Sequence, residues 1–272
     1  MARGGANGVR MTATAADRNQ VALGNPSFVW RAGQDRRLAL IRRYVSFEGA
    51  CVLDIGCGIG TYVRKLREYA DRVYGIDIDP ERVRQGTVPG LAVAISERLP
   101  FRDASFDLVL LNEVIEHVQD DAATLAEACR VVRPGGHVVI YAPNRLYPFE
   151  THGVYLGRRY VFGNIPLVNY LPDALRRRLV PHARAYTSRD VRRLLHGLPA
   201  DLVVHTFVYP GFDNIAARSR VLGWLLRNIF HRLERSPLRR FGLSHFVVLR
   251  VRADQSDQST PPVSVGVTDG RT

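Results

Sequence analysis

The sequence predicts an α/β fold: a largely parallel sheet with helices on both faces. Short apolar runs of strand composition alternate with helix-like segments over most of the chain. The runs are apolar along their length, as strands buried on both faces must be. Glycine-rich and acidic clusters fall just after those runs, where doubly wound sheets bind ligands.

Each element follows in order. Cys51–Ile55 is the first strand, and the helix Thr61–Tyr69 comes after a glycine cluster. Arg72–Ile78 is the second strand. The next helix, Pro80–Gln85, has Asp79 as N-cap and proline at its first position, where the missing N–H is harmless. Leu91–Ile95 and Phe106–Leu111 are the third and fourth strands, followed by a helix at Asp121–Val131. Pro134-Gly135-Gly136 turns the chain into the fifth strand, His137–Tyr141. Thr187–Leu195 is a helix capped by Thr187 or Ser188, and Leu202–Val208 and Phe246–Val251 are late strands. A helix around Gln34–Val45 precedes the first strand. One domain spans 21–253, between small polar tails at 1–20 and 254–272 expected to be disordered.

Composition narrows the class. Hydrophobic residues are 46% and charged residues 24%, the balance of a soluble globular domain. Cys51, Cys57 and Cys129 lack any C-x-x-C or metal-ligand spacing, which fits a reducing compartment without disulfides. No apolar run approaches the ~20 residues that span a bilayer, and no signal-peptide core is visible. The expected location is the cytoplasm. The net charge of +12, with Lys65 the only lysine, points to an anionic partner or surface.

The chemistry lies in five segments. In V-L-D-I-G-C-G-I-G, Val52 to Gly60, a strand runs into Gly56, Gly58 and Gly60 and then into a helix. Glycine lets that backbone turn sharply and bring its N–H groups close to a ligand. The dinucleotide fingerprint G-x-G-x-x-G would place its third glycine at Thr61, so a nicotinamide-dependent oxidoreductase is the lesser alternative. Asp77 ends the second strand, placed to accept hydrogen bonds from both hydroxyls of a ribose. Then come E-R-L-P-F-R-D-A-S-F-D (Glu97 to Asp107), N-E-V-I-E-H-V (Asn112 to Val118) and R-V-V-R-P-G-G-H-V-V-I (Arg130 to Ile140).

In this order the segments resemble the class I S-adenosylmethionine-dependent methyltransferases of the type-11 family, over roughly Ala50 to Asn144. The resemblance implies a Rossmann-like doubly wound sheet of seven strands, the last antiparallel, with S-adenosylmethionine as cofactor. It implies that the loop of Asp54, Gly56, Cys57, Gly58 and Gly60 holds the methionine part and that Asp77 and Ile78 contact ribose and adenine. Ser96 and Glu97 form the adenine-facing turn, and the Asn112 backbone faces the methionine amino group. Where many relatives carry an adenine-binding aspartate this chain has Ile95, leaving a carbonyl near Ser96, or Glu97, to accept that bond. A non-catalytic binding protein on the same fold is a further alternative, against which the intact glycines and Asp77 argue.

Methyl transfer from a sulfonium needs positioning more than a protein nucleophile. The acceptor site is therefore expected in two insertions. One, about 145–186, follows the fifth strand and reads as an apolar lid, with F-E-T-H-G and then Tyr155, Tyr160, Phe162 and Tyr170. Glu150 and His152 are its candidates for acceptor binding or proton removal; His117 is a third, in a candidate acid/base cluster with Glu113 and Glu116 in which Glu113 and His117 would share a helix face. No H-x-x-x-H spacing occurs nearby, so no metal site is expected. The second insertion, about 211–242, precedes the last strand. Its leucines recur at helical spacing among arginines, as in a helix that lies on an anionic membrane. No nucleic-acid-binding module is visible. The reading is methyl transfer to a small or lipid-like acceptor.

Overall fold

The structure, a computed structural model, describes residues 32–253, so the expected tails at 1–20 and 254–272 lie outside the described residues. The first half runs α1 (Ala32–Ile41), β1 (Cys51–Ile55), α2 (Thr61–Leu66), β2 (Arg72–Asp77), α3 (Pro80–Gln85), β3 (Leu91–Val93), β4 (Phe106–Asn112), α4 (Asp121–Val131) and β5 (Val132–Pro143). The lid follows, with β6 (Phe149–Glu150), β7 (Val154–Leu156), β8 (Arg159–Val161), β9 (Ile165–Pro166) and α5 (Asp173–Leu179). The chain closes with α6 (Ser188–Leu195), β10 (Ala200–Val208), α7 (Asp213–Arg218), α8 (Arg220–Leu233) and β11 (Ser244–Val251).

Seven strands form one sheet in the order β10-β11-β5-β4-β1-β2-β3. The pairings among β1 to β5 are parallel, and β11 is antiparallel to both β5 and β10. Successive side chains of a strand point to opposite faces, and the two cores follow that alternation. Leu53, Ile55, Val109 and Leu111 pack on one face; Val52, Leu108 and Leu110 pack on the other. The strand order reverses between β1 and β4, so a crevice opens at their carboxyl ends.

The caps form as the sequence predicts. Asp79 accepts from the Glu81 N–H with Pro80 behind it, and Thr187 and Asp190 make a reciprocal capping box. Three expectations are corrected. The helix after β1 stops at Leu66. The fifth strand already begins at Val132, because Arg133 to Gly136 run on as an irregular extension whose Gly135 takes a φ of +82°. Residues 113–118, directly after β4, form a bend and a turn, not a helix, so Glu113 and His117 share no helix face. Glu113 sits at φ +58°, a left-handed conformation that breaks the helical path.

One buried pair on β10 and β11 makes stability depend on pH. His245 is fully buried; its Nε2 donates to the Tyr186 carbonyl at 2.8 Å, so its Nδ1 must accept from His205 Nε2 at 2.9 Å. Burial pushes His245 from 6.5 down to about 4. The fold thus favours the neutral ring, a stabilisation complete above the unfolded value and lost as pH falls from about 6.5 towards 4. At one pKa unit per ~1.4 kcal/mol, the full loss is about 3 kcal/mol. Urea melts of wild type and His245→Gln between pH 8 and pH 5 should show a shallower pH slope in the variant. Equal slopes would remove His245 from the account.

Candidate active site: an acidic cofactor crevice under a lid

A cavity of about 870 Å³ lies over the carboxyl ends of β1, β2 and β4. At one end are the residues the motifs single out: Asp54, Gly56, Cys57, Gly58, Asp77, Ile78, Ser96, Glu97 and Asn112 all line it. Gly60 does not; it caps α2 at φ +82°, where a Cβ would meet Val88 Cγ2 at 2.5 Å. Gly56 is held to glycine in the same two ways, by φ +71° and by Val114 Cγ2 at 2.5 Å from a notional Cβ.

The loop is fastened to the acid that follows it. Asp77 Oδ2 accepts from the Gly58 N–H at 2.8 Å, and Oδ1 from the Asp79 N–H at 2.9 Å. Asp54 and Asp77 are both buried. Burial raises both carboxyls, and for Asp54 the neighbouring Asp77 raises it further. Two acids side by side at a cavity wall suit a ligand rich in ammonium and hydroxyl donors.

Glu97 lines the cavity but also works within the protein. Its Oε1 accepts from the Gln119 and Asp120 N–H groups at 2.9 and 3.4 Å, and Ser96 Oγ donates to its Oε2 at 3.1 Å. Asn112 Oδ1 accepts from Arg37 Nη1 at 2.7 Å, and Glu113 accepts from Arg37 Nη2 at 2.7 Å and from Ser244 Oγ at 2.6 Å. Arg37, on α1, closes this wall and stacks on Tyr141 at 4.7 Å. Sequence reasoning missed it, because a lone arginine ahead of the motifs carries no spacing signal.

The opposite end is formed by the lid and the turn after β4, with Tyr147, Phe149, Phe162, His117, Glu150 and His152 on the wall. Glu150 is committed to the lid's own structure. Its Oε2 accepts from Arg176 Nη2 at 2.5 Å and its Oε1 from the backbone N–H of His152 at 2.9 Å. Burial opposes its charge, but His152 and Arg176 outweigh burial and hold it down to about 2. His152 is raised to about 10, since Glu116 and Glu150 outweigh the burial that disfavours its charge. His117 goes the other way, down to about 4, through burial and the neighbouring His152. Burial lifts Glu116 to about 7. The sequence named His117, Glu150 and His152 as candidates and placed Glu116 beside His117; that Glu116 also meets His152 follows only from the folded turn and lid.

Residues 53–140 match the sequence model of a family described as a methyltransferase domain. This chain carries a class I, S-adenosylmethionine-dependent methyltransferase domain. The methyltransferase domain is similar to norajmaline N-methyltransferase of Rauvolfia serpentina, at 39% identity over 36% of this chain and 38% of that protein. It is also similar to the ubiquinone biosynthesis O-methyltransferase of Xylella fastidiosa strain M23, at 34% identity over 40% and 48%. The chain therefore spans less than half the length of these relatives. In fold it is similar to an S-adenosylmethionine-dependent methyltransferase from Mesorhizobium loti, with a TM-score of 0.54, 19% identity, 78% of this chain and 96% of that one. The methyltransferase domain accounts for the G-x-G-x-G spacing, and the nicotinamide alternative is not carried further. S-adenosylmethionine is the cofactor of such domains, and the paired acids suit its ammonium and ribose hydroxyls.

Proposed function

We propose that this protein transfers a methyl group from S-adenosylmethionine to a small or lipid-like acceptor. The observation that carries this is one continuous cavity, acidic at the Asp54 and Asp77 end and aromatic at the lid end. Asp77 takes the ribose hydroxyls, the loop from Asp54 to Gly58 with Asn112 takes the methionine part, and Ile78 with the backbone near Ser96 takes the adenine. When bound, S-adenosylmethionine supplies an electrophilic methyl on a sulfonium sulfur. The protein's task is then to align an acceptor atom and exclude water, a positioning effect worth about 7–11 kcal/mol. Tyr147, Phe149 and Phe162 hold the acceptor's apolar body, and His117 and His152 are the polar groups nearest its reacting end. Relatives named for N- and O-methylation leave the acceptor atom open.

Incubating cell extract with isotopically labelled cofactor and the protein, then searching by mass spectrometry for methylated small molecules, tests this reading. A labelled product dependent on Asp77 supports it; cofactor binding without any product favours a non-catalytic binding protein. Once an acceptor is known, Phe149→Ala with Phe162→Ala should raise its KM by about tenfold or more, since each lost aromatic contact removes roughly 1.5–3 kcal/mol at full burial. The cofactor Kd should stay within twofold. Equal KM values would place the acceptor elsewhere.

Contact with an anionic membrane is a second reading, carried by α8. Val221, Trp224 and Ile229 are 77%, 65% and 44% exposed, and Leu222 and Leu225 join them outside. Arg218, Arg220, Arg232 and Arg235 stand exposed around that stripe. This arrangement favours an interfacial helix, each arginine near an anionic leaflet adding about 1 kcal/mol. Among the described residues no helix is long and apolar enough to cross a membrane. Sedimentation with phosphatidylglycerol vesicles should be salt-sensitive and weakened by Trp224→Ser; no sedimentation at low salt would end this reading.

A further inference from the structure

We propose that Glu116, His117 and His152 form a binding site for one divalent transition-metal ion of the zinc, cobalt or nickel kind, at the wall between the cavity and the lid. The donor atoms converge: one ligand atom from each residue lies within 4.8 Å of the others. Glu116 Oε1 is 3.9 Å from His117 Nε2 and 3.8 Å from His152 Nε2. These separations exceed hydrogen-bond length. They suit a shared ion about 2.0–2.2 Å from each donor, after the side chains close by a few tenths of an ångström. Two imidazoles and one carboxylate are a donor set that such ions favour.

Two independent features support the site. The first is Glu116 itself. Its side chain has no exposed surface, and neither carboxylate oxygen has a hydrogen-bond partner. A buried carboxylate left in this way is costly and asks for a cation. The second is the orientation of the rings. His117 Nδ1 lies 2.9 Å from the His182 carbonyl, so it carries the proton and leaves the Nε2 lone pair towards Glu116. His152 Nδ1 lies 3.0 Å from Glu150 Oε1, with Arg176 behind that carboxylate. This is the carboxylate–histidine pairing that fixes imidazole ligands in metal sites. Both Nε2 atoms are thus aimed at the same carboxylate oxygen.

The site joins the turn after β4 to the lid, which explains why sequence spacing gave no sign of it. His152 comes from beyond β6, far along the chain from the E-H pair. Because His117 and His152 also line the cavity, the ion's remaining coordination positions face the acceptor end. An oxygen-bearing acceptor could be oriented there. That consequence rests on the methyl-transfer reading, whereas ion binding does not.

The test uses the full chain, treated with a chelator and dialysed, then titrated with Co²⁺ and followed by visible absorption and calorimetry. The expected result is one equivalent of Co²⁺ with ligand-field bands of imidazole coordination, displaced by Zn²⁺. Glu116→Gln and His152→Ala should each weaken binding by about tenfold to a hundredfold or more. His196→Gln, at an exposed histidine, should leave it unchanged. Absence of one-equivalent binding by folded wild type would overturn the site and leave a protonated His152 as the partner of Glu116. Unaltered affinity in both ligand variants would overturn it too. Should Glu116→Gln lose its circular dichroism signature, His117→Gln is read in its place. Calorimetry with S-adenosylhomocysteine on the same samples separates loss of the ion site from loss of the cofactor site.

Discussion

Asp77→Ala is expected to weaken S-adenosylmethionine and S-adenosylhomocysteine binding by two orders of magnitude or more. Asp77 stands at the carboxyl end of β2, buried, with one oxygen on the Gly58 N–H and the other on the Asp79 N–H. Alanine unfastens the loop from Asp77 and, on the proposed reading, removes the acceptor for two ribose hydroxyls. Hydrogen bonds to a charged group contribute roughly 1.5–3 kcal/mol each, so two of them amount to about 3–6 kcal/mol. That range corresponds to about two to four powers of ten in Kd. Stability should fall far less, because the same burial that raises the Asp77 carboxyl is relieved by the substitution. Isothermal titration with both ligands checks the prediction. A folded variant binding within threefold of wild type would show that this acid does not hold the ribose.

Arg176→Met is expected to cost about 3 kcal/mol, concentrated in the lid. The Arg176 and Glu150 side chains are 3% and 2% exposed, and the guanidinium also donates to Asn169 Oδ1 and the Ala183 carbonyl. Breaking a buried pair from one side typically costs about 3–5 kcal/mol, because the remaining charge stays desolvated. His152 still faces Glu150, which sets the expectation at the low end. Arg176→Lys should recover only part of the loss, since an ammonium cannot reach all three acceptors in the plane of a guanidinium. Urea melts give the total. Trypsin cleavage within 151–182 gives the location and should accelerate by at least tenfold, while cofactor affinity stays near wild type. Unchanged cleavage would mean that the lid is held by other contacts.

The gathering of the glycine loop and Asp77 at one crevice was legible in the sequence because their spacing is local. Gly56, Gly58 and Asp77 are fixed by short strand-to-helix connections, so spacing along the chain translates directly into spacing in the crevice. The central strands were legible as apolar runs because β1 and β4 are buried on both faces. The count of seven and the antiparallel last strand came from the family resemblance, since β3 and β10 are only partly buried. The lid end was not legible. Glu116, His117, Glu150, His152 and Arg176 meet only after some sixty residues have folded into irregular turns and two-residue strands, which have no period to read. Of the arginines between 176 and 240, some serve inside the protein and others stand exposed on α8. Arg176 is an internal pair, Arg184 donates to the Val118 and Gln119 carbonyls, and Arg227 pairs with Asp213. Composition counts charges but cannot tell a structural guanidinium from one facing solvent. The turn over 113–118 read as a helix because residues four apart look like helical neighbours. The left-handed Glu113, held by Arg37 and Ser244, is what breaks that path.

The lid has a small hydrophobic cluster of its own, Val154, Val168, Val180 and Ala183, separate from the two clusters that cover the sheet. Substitutions at distant sites without shared partners add nearly independently. That cluster is the part of the lid without such partners, whereas the lid's edge is tied to the turn after β4: His117 Nδ1 meets the His182 carbonyl and Arg184 donates to the Val118 carbonyl. Side chains of the Val154 cluster can therefore change with little effect on the crevice, whereas changes at the lid's edge carry through to it. The match to the family's sequence model ends at residue 140, just before the lid begins.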